Sequence, residues 1–212
     1  RRAVVSLSAE AETGGRAPLK LAWGRTNDVP QRAQNAHPDG RAWCSPTTIS
    51  MLLAWWAHEL RQPALDLDVP RVARAVHDPG WSGTGNWSFN TALAGTQPGL
   101  ASFVTRLRDL RDLEALASAG LPPAVSVSYG KLKGGAAHED DGHLVIIAGF
   151  TPDGDPVIND PWAKLDEGQP VRRVYRRTDL DRAWLASRRT AYLVAPEARL
   201  AELAGIIGAR FQ

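Results

Sequence analysis

A chain of 212 residues with 43% hydrophobic content can pack one ordinary domain, which excludes a disordered chain. Its 25 basic and 23 acidic residues leave a net charge of +2 and form no basic stripe for nucleic acid, and no apolar run approaches the ~18 residues of a membrane span. The single cysteine, Cys44, excludes an intramolecular disulfide and a multi-cysteine zinc site.

Residues 1–28 read as a lead-in, the tail of an upstream domain or a linker, and residues 29–212 as the domain proper. In the lead-in, Ala3–Ser8 alternates like a strand, Gly14-Gly15 breaks it, and Leu19–Trp23 forms an apolar patch. The chain opens at Arg1 without Met or a signal-like segment, which reads as a processed or trimmed N-terminus. After a turn-rich stretch around His37-Pro38-Asp39-Gly40, a helix is expected just past Cys44. Pro46 suits its first turn, and Ile49, Leu52, Leu53, Trp56 and Leu60 form its apolar stripe. A second helix is expected from Pro70 to His77, capped by Asp68. Trp81–Phe89 reads as a Gly-rich aromatic loop. A third helix carries Leu107, Leu110, Leu113 and Leu116 and ends at Gly120, so the first half reads as mostly helical.

The period then changes. Ala124–Tyr129 alternates as a strand, and His143–Phe150 is a continuous apolar strand buried on both faces. Asp153-Gly154 turns it into Pro156–Asn159. Val171–Arg176 and Thr190–Val194 are further strands, with a short helix at Leu180–Leu185 between them and an amphipathic helix over Pro196–Arg210. Helices first and a mostly antiparallel sheet second is an α+β pattern. Arg172-Arg173 and Arg176-Arg177 read as a solvated face. His138, Glu139, Asp140 and Asp141 read as a solvated acidic loop in preference to a metal site, because contiguous ligands lack regular spacing.

Three residues at element junctions carry chemistry. At a helix N-terminus, unpaired N–H groups and the helix dipole favour the thiolate of Cys44, the reactive form of the side chain, although a lone cysteine is also commonly an inert buried residue. His143 opens the buried strand, where an imidazole can act as base for a thiol or simply end a strand in solvent. Asp160 ends the hairpin partner of that strand; a carboxylate there can orient the imidazole, or merely start an Asp-Pro turn. Trp43 and Ser45 flank the thiol, and Trp87 and Trp162, with Trp81, are either groove walls or core.

The segments AWCSPTTISMLLAWW (42–56), GTGNWSFNTALAG (83–95) and GHLVIIAGFTPDGDPVINDPWA (142–163) resemble bacterial C39-like cysteine peptidases. The resemblance covers about residues 29 to 195. It implies a papain-like α+β fold, with a helical half that places Cys44 at a helix N-terminus against a mostly antiparallel sheet. It also implies Cys44 as nucleophile, His143 as general base and acid, and Asp160 as the residue that orients His143. A glutamine ahead of the cysteine completes the oxyanion hole in such enzymes; Gln34 is the candidate here and Gln31 the second. The expected activity is hydrolysis of a peptide or other amide through a thioester, without cofactor or metal. Trp43, Ser45, Trp87 and Trp162 are the expected substrate contacts, the chain is expected to be a monomer, and its location secreted or in the cell envelope. A thiol acyltransferase of the same fold and a non-catalytic peptide-binding module are the alternatives.

Overall fold

The computed structural model describes residues 16–136 and 142–209. Its centre is α1 (Cys44–Glu59), in which every residue from Ser45 to Ala57 is buried. The expected apolar stripe is therefore only part of its buried surface. Two of the polar residues on its other sides find partners: Thr48 Oγ1 donates to the Leu144 carbonyl at 3.0 Å, and Ser50 Oγ to that of Leu67 at 2.6 Å. A buried hydroxyl tolerates loss of water when it keeps a hydrogen bond.

The strands are β1 (Arg25–Thr26), β2 (Leu100–Arg106), β3 (Ala124–Ser128), β4 (Gly142–Phe150), β5 (Pro156–Asn159), β6 (Arg172–Val174) and β7 (Thr190–Pro196). They form one sheet in the order β2-β7-β3-β4-β5-β6, with β1 added to β4, and every pairing is antiparallel. From His143 to Phe150 each residue of β4 is buried, which requires cover on both faces. Helix α1 packs against β4 and β7, and α4 (Leu110–Ser118) also packs against β4.

The other helices are α2 (Val69–Ala75), α3 (Trp87–Thr96), α5 (Tyr129–Leu132), α6 (Arg177–Ala186) and α7 (Leu200–Ile207). Asp68 caps α2 as expected, its carboxylate accepting from the Arg71 N–H at 2.7 Å. The α+β architecture stands, but two elements correct the reading of the first half. Trp87–Thr96 is a helix capped by Asn86, not the tail of a loop; its Ser, Asn, Thr and Gly content hides any amphipathic stripe. Leu100–Arg106 is a strand paired along its whole length with β7, so the first half is not simply helical, and Leu107 lies beyond that strand, ahead of the helix assigned to it.

The end of the lead-in is built into this body. Arg25 and Thr26 pair with Phe150 and Gly149, continuing along the edge of β4 that β3 occupies further back. Leu19 N–H and Trp23 Nε1 both donate to the buried Glu114 carboxylate at 2.7 Å. The strand expected at Ala3–Ser8 and the acidic loop at His138–Asp141 lie outside the described residues. Arg172, Arg173 and Arg177 do not form a solvated face: each reaches inward to a side chain, at Asn159, Asp160 and Glu114 respectively.

Candidate active site

Cys44 is the first residue of α1, with Trp43 at the N-cap, so its thiol sits where the helix presents unpaired N–H groups. His143 is the second residue of β4 and pairs with Val127 across the sheet. In the β4–β5 hairpin Asn159 lies opposite Ile146, so the chain runs back toward His143 as it leaves the strand, bringing Asp160 alongside. His143 Nε2 and Asp160 Oδ1 are 2.8 Å apart. That contact leaves Nδ1 as the ring nitrogen available to the Cys44 thiol.

The electrostatics follow from this geometry. Burial by itself pushes the Cys44 thiol up, but the hydrogen bond and charge of His143, the Leu144 N–H and the Ser45 hydroxyl outweigh it, and the thiol is shifted down. Burial disfavours the His143 imidazolium, yet Asp160 and Cys44 together carry it up to about 9. Burial likewise opposes the Asp160 carboxylate, and the partners His143, Tyr175 and Arg173 bring it down to about 2. A thiol shifted down beside an imidazole shifted up is the direction that favours a thiolate–imidazolium pair.

Asp160 is 0% exposed, and both of its oxygens are engaged. Oδ1 also accepts from the Trp162 N–H at 2.9 Å. Oδ2 accepts from Arg173 Nη2 at 2.6 Å, Tyr175 OH at 2.5 Å and Tyr129 OH at 3.3 Å. Burial and the carboxylate charge push the Tyr129 hydroxyl up to about 12 and Tyr175 higher still, so both donate as neutral phenols. Tyr129 also packs on His143, ring centres 4.5 Å apart and tilted by 50°, and meets Trp162 edge-on at 6.3 Å.

These three partners of Asp160 escaped the sequence reading. Arg173 and Tyr175 are two residues apart where a strand places side chains on one face, and that spacing was their one local signal. Tyr129 follows the residue paired with Gly142, a register visible only in the fold.

Cys44, His143, Ser45, Gln34 and Trp162 all line one open cleft of about 990 Å³, joined by Trp81, Tyr129 and Tyr192. Tyr192 is pushed up to about 12 by burial and by the Cys44 charge. Trp81 is 65% exposed and stands on the short hairpin that pairs Asp78 with Gly83. Among the expected contacts, Trp43 packs on His37 and Trp87 lies 44% exposed on α3, both outside the cleft lining.

Gln34 is buried, and its backbone N–H donates to the Pro161 carbonyl at 2.8 Å, tying the loop before α1 to the loop that carries Asp160. Its Nε2 donates to the carbonyls of Gly40 and Arg41 at 3.0 and 2.8 Å, and its Oε1 has no partner among the described residues. Gln31 accepts from the Arg172 N–H at 3.1 Å and is not part of the cleft lining. No group of three or more His, Cys, Asp or Glu fit to hold a metal occurs among the described residues, and none of their helices is long and apolar enough to cross a membrane.

Comparison with known proteins agrees with this architecture. No curated protein matches the chain. A protein assigned as a C39-like peptidase from Bacillus anthracis superposes with a TM-score of 0.58 at 14% identity, covering 80% of this chain and 96% of that one. A double glycine motif protease from an AMS/PCAT transporter, solved in complex with the leader peptide, gives a TM-score of 0.51 at 16% identity over 81% of this chain and 94% of that one. At such identities these two likenesses speak for the fold, the α+β arrangement of C39-like, papain-like peptidases. The sequence pattern of the Peptidase_C39 like family matches residues 26–192, and the chain belongs to that family.

Proposed function

We propose that the chain is a cysteine-dependent hydrolase that cleaves a peptide or other amide bond through Cys44, His143 and Asp160. The observation that carries this reading is the buried His143–Asp160 contact at 2.8 Å beside a thiol shifted toward its anion, with Cys44 and His143 both opening on one cleft. The Cys44 thiolate attacks the amide carbonyl carbon. The resulting oxyanion is held by N–H groups at the start of α1, with Gln34 as the side-chain candidate. Both Nε2 protons of Gln34 are engaged by the Gly40 and Arg41 carbonyls, so it must release one of them to serve. As the tetrahedral intermediate collapses, the C–N bond breaks and the His143 imidazolium gives its proton to the leaving amine, leaving a thioester on Cys44. Neutral His143 then takes a proton from water, whose oxygen attacks the thioester carbonyl. The carboxylic acid leaves, and the thiolate–imidazolium pair is restored. Asp160 holds the ring orientation through both halves. A peptide in this cleft fits the leader-peptide complex of the transporter protease.

The test is alkylation of Cys44 by iodoacetamide from about pH 4 to 9 in wild type and His143→Ala. The expected result is a reactive plateau extending well below ~8.5, the free-thiol value, that the variant loses. A rate that rises only near that value and ignores His143 refutes the proposal. A peptide screen with and without an added amine acceptor then separates hydrolysis from acyl transfer.

A further inference from the structure

We propose that Arg173, supported by Tyr175, is a positioning residue: it holds the outer oxygen of Asp160 and takes up part of its charge, so that the His143 imidazolium can pass its proton to a leaving amine. The inference rests on the Cys44–His143–Asp160 reading and assigns a task to residues outside that trio.

The geometry is one of saturation. A carboxylate offers about four lone-pair sites, and Asp160 has five donors on its two oxygens without exposure to water. With Oδ2 engaged by Arg173 and Tyr175, the carboxylate cannot turn, and only Oδ1 is left for His143. The two residues reach it from the same side of the sheet: Arg173 pairs with Ile158 on β5, and Tyr175 follows β6 with its N–H on the Pro156 carbonyl at 3.1 Å.

Charge supplies the second argument. Thiolate, imidazolium, carboxylate and guanidinium form an alternating row that sums to zero. Without Arg173 the buried site carries a net negative charge, which is costly away from water. An unshared carboxylate would also grip the imidazolium proton more strongly, and an acid too weak to release its proton is a poor catalyst near neutral pH.

The groups that face this row come from every element around it. Cys44 comes from α1, Tyr129 from α5 and Tyr192 from β7, while Arg173 and Tyr175 come from β6 and the residue after it. Lys133 lies over the Tyr129 ring at 4.3 Å, and Asp39 and Arg41 line the cleft. Arg173 keeps its charge throughout the working range, and the tyrosines stay neutral there. Neither Arg173 nor the tyrosines therefore contribute a step of their own between about pH 4 and 10, and the two steps read at the Cys44 thiol and the His143 ring report that pair.

The experiment follows Cys44 alkylation and the His143 ring by NMR against pH in wild type, Arg173→Gln, Arg173→Lys and Tyr175→Phe. Wild type gives a lower step, where the ion pair forms, and an upper step, where the imidazolium loses its proton. Arg173→Gln is expected to raise the upper step by about one unit, a tenfold change in the proton equilibrium, and the lower step by less. Arg173→Lys returns both steps toward wild type because it restores the charge. Tyr175→Phe raises the upper step by a few tenths. A role confined to stability would lower the melting temperature and leave both steps in place, and that outcome overturns the inference. If Arg173→Gln does not fold, an unmoved upper step in Tyr175→Phe overturns it equally. Loss of the low-pH plateau in wild type itself would instead remove the hydrolase reading on which the inference rests.

Discussion

Replacing Asp160 by Asn removes one charge and changes almost no volume, so it isolates what the carboxylate does. Asp160 lies at about 2 against an ordinary 3.8, and a gap of that size corresponds to about 2 kcal/mol of preference for the ionised group in the folded protein. Because the folded value is depressed, this stability is present above the unfolded value of 3.8 and is lost as pH falls toward 2. Asp160→Asn should lack that acid-dependent loss. It should also be weaker at neutral pH, since the amide leaves the His143 imidazolium and the Arg173 guanidinium without their shared anion. Breaking a buried ion pair from one side costs 3–5 kcal/mol as a rule, and partial exposure of Arg173 places this case at about 3 kcal/mol. His143 loses the strongest of the partners that hold it near 9, so the upper end of the ion-pair range should fall by about one to two units, a roughly 10- to 100-fold change in the proton equilibrium. Urea unfolding at about pH 3 and pH 7, with Cys44 alkylation followed across about pH 5 to 10, reads all of these effects. A variant with wild-type alkylation and an unfolding midpoint unchanged at neutral pH would refute the reasoning.

Three further outcomes are expected. Gln34→Ala should lower turnover on a cleaved peptide by ~10²–10³ if the amide contributes to the oxyanion site, while Cys44 alkylation stays within about threefold of wild type. Gly40→Ala should disrupt the same corner, because a Cβ there would lie 1.7 Å from the Gln34 carbonyl oxygen; a melting-temperature loss of several degrees is expected, and an unchanged melting curve would count against it. Glu114→Ala removes a carboxylate that is 0% exposed and bonded to Arg177, Trp23 and the Leu19 N–H, so about 3 kcal/mol of stability and a change in Trp fluorescence should follow, measured by urea unfolding.

Much of this protein was legible locally. The change of period from 3.6 to 2 along the chain marks the α+β class, and the all-apolar run from Leu144 to Ile147 announces a strand covered on both faces. Asp68 before an apolar-periodic run marks a helix start by capping chemistry alone. Cys44, His143 and Asp160 each stand at a junction that sequence punctuation reveals. The elements that were not legible depend on distant partners. Helix α3 has no stripe of its own, and β2 is a strand because β7 pairs with all seven of its residues. Propensity over a short window does not carry such information.

The amino-acid order by itself determined which residue types bear the chemistry and where the strands and helices that carry them begin, because caps, turns and hydrophobic periods act within a few residues. Only the tertiary structure decided which side chains answer them. Arg173 and Tyr175 close on Asp160, Gln34 spans from the Gly40 turn to Pro161, and Glu114 anchors the segment before β1. A buried charge must find its counterpart wherever the fold brings one within reach, and that distance is measured through space and not along the chain.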